Sequence, residues 1–505
     1  MIAQVHAATL VGIEAVPIVV EMEVGGATPQ FILVGLPDKA VEESRERVRS
    51  AMINCGIHFP NRKILCNLAP GDIRKEGPSL DLPIATAVMA SVGAIPHESV
   101  KDTLILGELG LDGVLRPVDG ALSVALMAAE KGFKRLIVPE ANAPEAAVVT
   151  SLEVFGLKSL LDLVDLLGGF GLIEPYRFSE EERQGEPDYG VDYADVKGQV
   201  TAIRGLEIAA AGGHNLLMVG PPGSGKTMLA RRFPTILPPL NLEEAVEVTR
   251  IHSAAGRMGD KRGLVWERPF RSPHHSASHA ALVGGGKVPK PGEVSMGHKG
   301  VLFMDEMPEF DRAVLEALRQ PLEDGVVTVS RVHSSLTFPA DCILIGAMNP
   351  CPCGFKGLPE ANCVSSPTTC GRYAGRISGP LLDRIDIHLH VPRVKPDELL
   401  GKPDGEPSAN IRERVMRARE IQRGRLGATR LNGRMTPREI REMVPLDAAC
   451  ERFMKLTVNK MNISARVFDR ILKVARTIAD LSGSDQVTEK HLMEAVRLRE
   501  QGTDG

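Results

Sequence analysis

A phosphate-binding loop is the most specific chemical feature of this sequence. It lies between an apolar run, 215–219, and a helix-like run, 228–232. A glycine-rich turn between a strand and a helix directs backbone N–H groups and the positive end of the helix dipole at an anion. Lys226 is predicted to reach the β- and γ-phosphates of ATP and Thr227 to ligate Mg²⁺. The whole predicted loop is Gly220, Pro221, Pro222, Gly223, Ser224, Gly225, Lys226 and Thr227.

Two carboxylates follow a second apolar run, which ends in Met304-Asp305-Glu306. A continuous apolar run is typical of a parallel strand buried on both faces, and the carboxyl ends of such strands face the ligand crevice of α/β sheets. Asp305 is therefore predicted to hold Mg²⁺ through its water shell. Glu306 is predicted to orient and polarise the attacking water.

Four cysteines lie within 20 residues, at positions 351, 353, 363 and 370. Four thiolates are enough for a closed tetrahedral Zn²⁺ site. The spacing is Cys-x-Cys and Cys-x₆-Cys, whereas two-residue gaps are the common zinc pattern. Two interpretations stay open at this point: structural zinc bound by Cys351, Cys353, Cys363 and Cys370, or free thiols in a loop.

The composition is that of an ordinary globular protein. The chain has 505 residues, 43% of them hydrophobic and 25% charged, with a net charge of −4. Any nucleic-acid contact must therefore come from local basic surfaces. Eight cysteines in a chain of this length favour a reducing compartment. With no signal peptide or membrane span in the sequence, we expect a cytoplasmic protein without a membrane partner.

The pattern of runs predicts an α/β fold with four regions. Alternating and helical runs over 1–171 indicate an α/β or α+β domain, and the polar stretch 172–190 reads as a linker. The P-loop ATPase core is expected over 191–392. A linker and a helical lid domain are expected over 393–505, where Thr436 begins a capping box.

The core resembles the AAA+ ATPases in two further segments. A Val-x-Gly-Gln segment ahead of the phosphate loop walls the adenine pocket in that family, and Val196, Gly198 and Gln199 resemble it. Asn349 follows the apolar run 342–347 and matches the sensor-1 position. The resemblance implies that its amide helps to hold the lytic water or the γ-phosphate.

Two arginines match AAA+ positions that contact phosphate. The segment Leu-Asp-Arg384-Ile-Asp resembles the arginine-finger box, which implies that Arg384 reaches the γ-phosphate of a neighbouring subunit in a ring. Arg466 lies in the first turn of a predicted helix capped by Ser464. A cation at that end opposes the helix dipole, which fits a sensor-2 arginine that touches nucleotide phosphate; an exposed arginine without a role is the alternative.

The N-terminal region resembles the ribosomal-S5-type domain of Lon proteases. In that family a Ser after Gly-Pro is the nucleophile, and Ser79 matches it. The stretch 118–127, where the activating Lys should fall, contains no Lys, and Lys131 lies too late. A Ser hydroxyl without an adjacent base is a weak nucleophile. Ser79 is therefore expected to be structural, for example as a helix N-cap.

Three segments between the phosphate loop and the carboxylate-bearing strand complete a family pattern, at 268–278, 284–286 and 290–296. Together with the Lon-like region, they resemble the magnesium-chelatase-related AAA+ family that includes ComM and YifB. The resemblance covers essentially the whole chain. It implies a hexameric ATPase acting on DNA and, as in ComM, a helicase that drives branch migration during natural transformation.

A basic segment precedes the carboxylate-bearing strand. Residues 257–299 hold eight Lys or Arg against three Asp or Glu, with four His. Such a segment could line the channel of a ring and contact DNA phosphates without sequence preference, or it could be a solvated surface loop. The predicted DNA contacts are Arg268, Arg271, His274, His275 and Lys287.

Two other functions stay open. A Lon-type ATP-dependent protease or unfoldase would need Ser79 to be activated, which the missing Lys disfavours. A magnesium-chelatase-like motor subunit would share the ATPase core, but no partner surface for it is visible in the sequence.

Overall fold

The computed structural model describes residues 2–179, 189–259, 263–286, 289–330, 335–356, 363–394, 397–398, 405–461 and 463–500. The chain divides into two compact units: 1–185 with 241–266, and 186–240 with 267–505. None of the described helices is long and apolar enough to span a bilayer.

The strands are, in chain order, β1 (Ala3–Val11), β2 (Glu14–Gly25), β3 (Gln30–Val34), β4 (Lys63–Ala69), β5 (Thr103–Ile105), β6 (Glu108–Leu109), β7 (Leu115–Arg116), β8 (Arg135–Pro139), β9 (Glu153–Leu157), β10 (Leu216–Val219), β11 (Phe270–Arg271), β12 (Gly284–Gly285), β13 (Lys290–Pro291), β14 (Val301–Met304), β15 (Val326–Ser330), β16 (Ser335–Pro339), β17 (Ile343–Met348) and β18 (Ile387–His390).

The α-helices are α1 (Lys39–Asn54), α2 (Asp81–Ser91), α3 (Ala121–Glu130), α4 (Ala143–Ala146), α5 (Leu160–Gly168), α6 (Val200–Gly212), α7 (Lys226–Arg232), α8 (Leu242–Ala254), α9 (His279–Val283), α10 (Glu293–Met296), α11 (Arg312–Ala317), α12 (Arg319–Asp324), α13 (Pro367–Ala374), α14 (Gly379–Leu382), α15 (Ser408–Leu426), α16 (Pro437–Met443), α17 (Ala448–Met461), α18 (Ala465–Leu481) and α19 (Glu489–Glu500).

The first unit is built on a seven-stranded mixed sheet of order β3-β4-β2-β1-β5-β8-β9. Successive side chains of a strand point to opposite faces, and here they feed two hydrophobic cores. Leu104 belongs to one core and Ile105 to the other, as do Leu136 and Ile137. Helices therefore pack against both faces of this sheet, which buries apolar residues on each side.

Helix α8 belongs to the first unit, although it lies within the range 191–392 that the sequence assigns to the ATPase core. The backbone N–H of Gly120, which caps α3, donates to the hydroxyl of Ser253 at 3.0 Å. Arg250 donates to the hydroxyl of Ser123 at 3.3 Å and pairs with Glu14. These contacts join residues more than 100 positions apart, so the runs of the sequence do not reveal them.

Ser79 lies inside a short 3-10 helix, Pro78–Leu80, and Leu80 is the N-cap residue of α2. The expectation that Ser79 caps the helix is therefore wrong. Its carbonyl oxygen accepts a hydrogen bond from the N–H of Gly107 at 3.0 Å, which ties the turn to the strand that follows α2. Asp81, two residues on, is fully buried and paired with Arg47.

The second unit contains a five-stranded parallel sheet of order β11-β14-β17-β10-β18. All of β14 and β17 is buried, as expected for parallel strands covered on both faces. This mixed α/β architecture with a parallel sheet is the one predicted for a P-loop ATPase core. The predicted strand before and helix after the phosphate loop are confirmed as β10 and α7.

The C-terminal part of the second unit is helical, as predicted. Thr436 and Glu439 form the expected capping box at the start of α16. Helix α18 begins after the N-cap Ser464, whose hydroxyl accepts from the N–H of Val467, which confirms both the cap and the place of Arg466 in the first turn. One face of α18 is buried in the hydrophobic core shared with the parallel sheet.

Candidate nucleotide site

The strand register brings the predicted site residues to one edge of the parallel sheet. Val219, the last residue of β10, lies beside Met348 of β17, and Met304 of β14 lies beside Gly346 of β17. The N–H of Gly220 donates to the carbonyl of Met348 at 3.2 Å. The phosphate loop, Asp305 and Asn349 therefore leave the sheet at neighbouring strand ends, which is where α/β sheets bind ligands.

Two glycines of the loop are required by its geometry. Gly225 caps α7 with φ at 92°, in the left-handed region that favours glycine. A Cβ atom at Gly220 would lie 2.2 Å from the carbonyl oxygen of Val391, so the loop can only pack here without a side chain. The loop is thereby held closely against the end of β18.

Lys226 is buried, and its ammonium group donates to neutral acceptors. Its Nζ atom lies 2.7 Å from the carbonyl oxygen of Gly220, 2.9 Å from that of Pro221 and 3.3 Å from Oδ1 of Asn349. Desolvation lowers the pKa of Lys226, partly offset by the charge of Asp305. An anion near this ammonium group would replace weak acceptors with a full negative charge.

The two predicted Mg²⁺ ligands, Thr227 and Asp305, lie in contact with each other. The hydroxyl of Thr227 donates to Oδ2 of Asp305 at 2.7 Å. Both residues offer oxygen atoms, which are the ligands that Mg²⁺ prefers. We call Lys226, Thr227, Asp305 and Asn349 the phosphate cluster.

Glu306 lies just after strand β14 and occupies a strained backbone conformation. Its φ and ψ are 49° and 44°, in the left-handed region, and its N–H donates to Oδ1 of Asp305 at 3.0 Å. A non-glycine residue held there costs roughly 1–3 kcal/mol, and such strain clusters at functional sites. The side chain of Glu306 is 59% exposed, so it is accessible to water.

His275 is the nearest ionisable partner of Glu306. Its Nδ1 atom lies 3.7 Å from Oε2 of Glu306, and its ring lies 4.1 Å from that of His274. The sequence interpretation placed His275 among the DNA contacts and missed this pair. No spacing rule connects positions 275 and 306, so only the fold could reveal it.

Gln199 connects the predicted adenine-side segment to the loop. Its amide nitrogen donates to the carbonyl of Pro392 at 2.7 Å and to that of Ser224 at 3.3 Å. Its Oε1 atom is buried and accepts no hydrogen bond from the described residues. Val196 is buried and Gly198 has φ at 62°. The orphaned oxygen is an acceptor without a donor, at the position where the resemblance implies a nucleotide base.

The charges of both predicted arginines act on a different carboxylate, that of Glu323, which Arg384 contacts directly. Arg384 is buried, and its Nε atom donates to Oε2 of Glu323 at 3.1 Å while Nη1 donates to the carbonyl of Pro380 at 2.8 Å. Hydrogen bonding to Arg384 lowers the pKa of Glu323, and the charges of Arg466 and Arg470 act in the same direction. The described contacts of Arg384 include no member of the phosphate cluster.

Asp386 is a second buried anion in the same region. It accepts from the N–H of Asn215 at 3.0 Å and pairs with Arg470 of α18. Burial alone would raise the pKa of Asp386, but Arg470 and His214 outweigh it and hold the pKa far below its ordinary range. We call Arg384, Arg466, Arg470, Glu323 and Asp386 the arginine cluster.

The four clustered cysteines converge in space. The Sγ atoms of Cys351 and Cys353 lie 3.3 Å apart, and Cys363 lies 3.5 Å from Cys353 and 3.7 Å from both Cys351 and Cys370. A Zn²⁺ ion with Zn–S bonds of about 2.3 Å separates its sulfur ligands by about 3.8 Å. A backbone hydrogen bond from Phe355 lowers the pKa of Cys353 to about 6.

This cysteine cluster packs directly on the phosphate loop. Gly354 has φ at 81°, and a Cβ atom there would lie 2.3 Å from Cδ of Pro222. Cys351 is buried two residues after Asn349. The cluster therefore adjoins both the phosphate loop and the sensor-1 residue.

The predicted DNA contacts are placed differently from the expectation. Arg268 is buried, and its Nη1 atom donates to the carbonyl of Lys299 at 2.6 Å, so its guanidinium group forms hydrogen bonds inside the protein. Arg271 forms a two-point ion pair with Glu293 at 2.6 and 2.8 Å, which satisfies its charge internally. His274 is exposed. Lys287 lies outside the described residues.

Family models match most of the chain. Residues 192–399 match the model described as magnesium chelatase, subunit ChlI; residues 20–142 match subunit ChlI of Mg-chelatase; and residues 405–499 match the C-terminal model of subunit ChlI.

Two relatives match the chain along nearly its whole length. The chain is 42% identical to competence protein ComM of Haemophilus influenzae, over 99% of this chain and 97% of that protein. It is 43% identical to the uncharacterized protein YifB of Salmonella typhimurium, again over 99% and 97%. The chain belongs to the magnesium-chelatase-related ComM/YifB family. Membership indicates an ATPase that uses ATP and Mg²⁺.

A shorter match links the chain to a protein named for DNA repair. It is 30% identical to the DNA repair protein RadA of Escherichia coli over 142 residues, 28% of this chain and 29% of that protein. The family resemblance drawn from the sequence is confirmed by the family models and by the two relatives that match over 99% of this chain.

Proposed function

We propose that this protein is an ATP-hydrolysing, ring-shaped AAA+ motor that acts on DNA, as a helicase or branch-migration factor in recombination or natural transformation. The observation that carries the proposal is the phosphate cluster in a chain that matches competence protein ComM along its whole length. DNA, in single-stranded or branched form, is the proposed partner, together with further copies of the chain in a hexamer.

The residues present fit ATP and Mg²⁺. Lys226 donates to two carbonyls and an amide, and Oε1 of Gln199 is a buried acceptor that needs a donor such as an adenine amino group. Thr227 and Asp305 would hold the metal, which neutralises phosphate charge when bound. Glu306 is exposed and would accept a proton from the attacking water. Asn349, whose Oδ1 atom lies 3.3 Å from Nζ of Lys226, would help to hold that water or the γ-phosphate.

The arginine cluster supports a role at a neighbouring subunit. Arg384 and Arg466 lie near Glu323, and the described contacts of Arg384 include no member of the phosphate cluster. We propose that Arg384 exchanges Glu323 for the γ-phosphate of the next subunit, and that Arg466 touches nucleotide phosphate as a sensor-2 arginine. An arginine finger of this kind contributes on the order of 10³–10⁵ in rate.

The N-terminal unit is proposed to be a Lon-like, non-proteolytic domain over 1–171, joined by a linker over 172–190. The stretch 118–127 lacks a Lys, so Ser79 has no base there. The alternative, a Lon-type protease or unfoldase, predicts casein degradation that Ser79→Ala removes. Equal casein degradation with and without the substitution, or none at all, excludes Ser79 as a nucleophile. The other alternative, a magnesium-chelatase-like motor subunit, would share the ATPase core.

We also propose structural Zn²⁺ on the cysteine cluster. The support is that four of the six S···S separations lie between 3.3 and 3.7 Å, close to the edge of a tetrahedral thiolate site. The Sγ atoms of Cys351, Cys363 and Cys370 all lie within 4.8 Å of one another. Metal analysis of the purified protein should find one zinc per chain, and Cys363→Ser should lose it. Cys55→Ser is the matched control, because Cys55 is half-buried and outside the cluster. Pure, active protein without zinc contradicts this proposal.

The motor proposal is tested with a forked DNA substrate. Binding and unwinding are measured with ATP over a salt series for the native chain and for Glu306→Gln. We expect salt-sensitive binding by both proteins and unwinding by the native chain alone. Absence of DNA association at low ionic strength would overturn the motor-on-DNA proposal and leave the ATPase assignment standing.

A further inference from the structure

The first unit contains an open cleft away from any residue assigned above. It has a volume of about 700 Å³ and lies between the edge strand β3, the exposed face of α1 and the loop that leads to β4. Arg45, Arg49 and Ile53 line it at successive helical turns. Ligand pockets have volumes of roughly 300–1,000 Å³, so the cleft can receive a molecule of nucleotide size.

The cleft carries a local positive charge. Arg45, Arg49 and Arg62 line it against a single carboxylate, Glu46. Over the described residues 2–179, none of these three arginines forms an ion pair; the donors of Arg45 go to the carbonyls of Glu42 and Phe31, at 3.0 and 3.5 Å. Three guanidinium groups against one carboxylate leave an excess of positive charge in this concave surface, which attracts an anion although the chain as a whole is acidic.

Another arginine of helix α1, outside the cleft, has a different environment. Arg47 lies on the other face of α1, where it donates to both carboxylate oxygens of Asp81 at 2.7 and 3.0 Å. The internal arginine is therefore paired, whereas Arg45 and Arg49 are exposed in the cleft.

Two aromatic rings complete the cleft. The centroids of Phe31 and Phe59 lie 6.3 Å apart with an interplanar angle of 40°, and the guanidinium carbon of Arg49 lies 6.0 Å from the centroid of Phe59. Both phenylalanines are only partly buried. Half-exposed rings next to guanidinium groups provide stacking surfaces for bases and charges for phosphates, which is the pattern of single-strand binding sites.

We propose that this cleft is a nucleic-acid site of the N-terminal unit and takes a short stretch of single strand. A base lies against Phe31 and Phe59, and the flanking phosphates contact Arg45, Arg49 and Arg62. A duplex keeps its base faces stacked internally and cannot offer them to these rings. The proposal deepens the proposed action on DNA and rests on it, but its residues are separate from the ATP site and from the basic segment 257–299.

The test uses the full chain carrying Lys226→Ala, so that nucleotide binding at the phosphate loop does not interfere. Fluorescence anisotropy measures the affinity for a labelled oligothymidine, a duplex of the same length and a labelled mononucleotide over a salt series. Arg49→Glu, Phe59→Leu and the matched charge reversal Lys131→Glu are compared in this background. Lys131 is exposed in the same unit and does not line the cleft.

We expect Arg49→Glu and Phe59→Leu each to weaken oligothymidine binding about tenfold or more, with Lys131→Glu changing it less than about twofold. Arg49→Glu should also reduce the salt slope by about one, whereas Phe59→Leu should leave that slope unchanged. Melting curves establish that the variants are folded.

Three outcomes would overturn the proposal. Equal affinities for Arg49→Glu and Lys131→Glu would place single-strand binding elsewhere, while the proposed motor function stands. If the cleft substitutions weaken the binding of the mononucleotide alone, the cleft is a pocket for free nucleotides. Absence of binding by every protein, the Lys226→Ala parent included, would count against both the cleft and the action on DNA.

Discussion

The phosphate cluster and the arginine cluster hold their cations in opposite ways. Lys226 donates to the carbonyls of Gly220 and Pro221 and to the amide of Asn349, and desolvation lowers its pKa. Arg384 already has a carboxylate partner in Glu323. Lys226 can therefore bind an external anion directly, whereas Arg384 must first release the carboxylate of Glu323.

This difference has a functional consequence. A site that binds ATP within one chain needs a preformed cradle, because the binding energy should not be spent on rearranging it. A finger that acts on another subunit needs an alternative partner while that subunit is absent, because an unpaired buried charge is costly. Glu323, whose side chain is 52% exposed, can serve as that partner and can be solvated when Arg384 leaves.

The largest expected effect comes from the phosphate cluster. Lys226→Ala should abolish detectable nucleotide binding, because it removes the charge directed at the β- and γ-phosphates. Equilibrium binding of a fluorescent ATP analogue measures the loss, and Lys131→Ala serves as the exposed-lysine control. Nucleotide affinity equal to that of the native chain would remove Lys226 from the site.

Glu306→Gln should separate binding from chemistry. The amide keeps the shape of the side chain but cannot accept a proton from water, so ATP binding should persist while turnover falls by about 10²–10⁴. Steady-state hydrolysis and nucleotide affinity are measured on the same sample. Turnover at the native rate would reassign the role of Glu306.

Arg384→Ala tests the arginine cluster directly. Hydrolysis should fall by about 10³–10⁵ with ATP binding intact, because the finger stabilises charge only in the transition state. Arg438→Ala, at an exposed lid arginine, should leave hydrolysis unchanged. Mixing Arg384→Ala with Glu306→Gln should restore part of the activity if the finger acts between subunits; no recovery would argue for action within one chain.

Arg470→Ala should lower stability more than Arg466→Ala does, although both side chains belong to the arginine cluster. Asp386 is 2% exposed and would lose its main counter-charge, which costs about 3–5 kcal/mol. Arg466 is exposed, and its removal should cost less than about 0.5 kcal/mol. Thermal melting of the two variants measures the contrast, and equal melting temperatures would contradict it.

The smallest expected effect, counted per pH unit, is a pH dependence of the stability near the arginine cluster. Burial lowers the pKa of His388 to about 3, so the folded chain binds fewer protons than the unfolded chain between about pH 3 and pH 6.5. Stability should therefore fall as the pH is lowered through this window, by up to about 1.4 kcal/mol per pH unit from this residue.

The substitution that checks this dependence is His388→Leu. The slope of stability against pH is the measured quantity, because the substitution also changes packing. His388→Leu should flatten the slope, while His279→Gln at an exposed position should not change it. Identical slopes for the native chain and His388→Leu would show that His388 titrates normally.

Local features of the site could be predicted because their causes are local. The phosphate loop needs glycine where φ is positive, Asp305 follows a run that must be buried, and Ser464 caps the helix that carries Arg466. In each case a few consecutive residues meet a local requirement of backbone geometry, burial or hydrogen bonding. The parallel sheet and the phosphate cluster follow from them.

Partnerships between distant residues could not be predicted. Arg268 and Arg271 were expected at the surface, yet one is buried and the other is paired with Glu293. Counts of basic residues along the sequence also gave no indication of the cleft around Arg49 in the N-terminal unit. Charge counts describe a segment as a whole, whereas burial and pairing depend on which other segment packs against each side chain.

The sequence by itself determined a P-loop core with a parallel sheet, the two carboxylates that follow a buried strand, and the family, because these depend on short motifs and on hydrophobic periodicity. Only the tertiary structure decided that helix α8 packs in the first unit, that Arg384 rests on Glu323, and that four thiols converge beside Pro222. Those arrangements arise from contacts between residues far apart in the chain, whose free energy is gained only when the whole fold has formed.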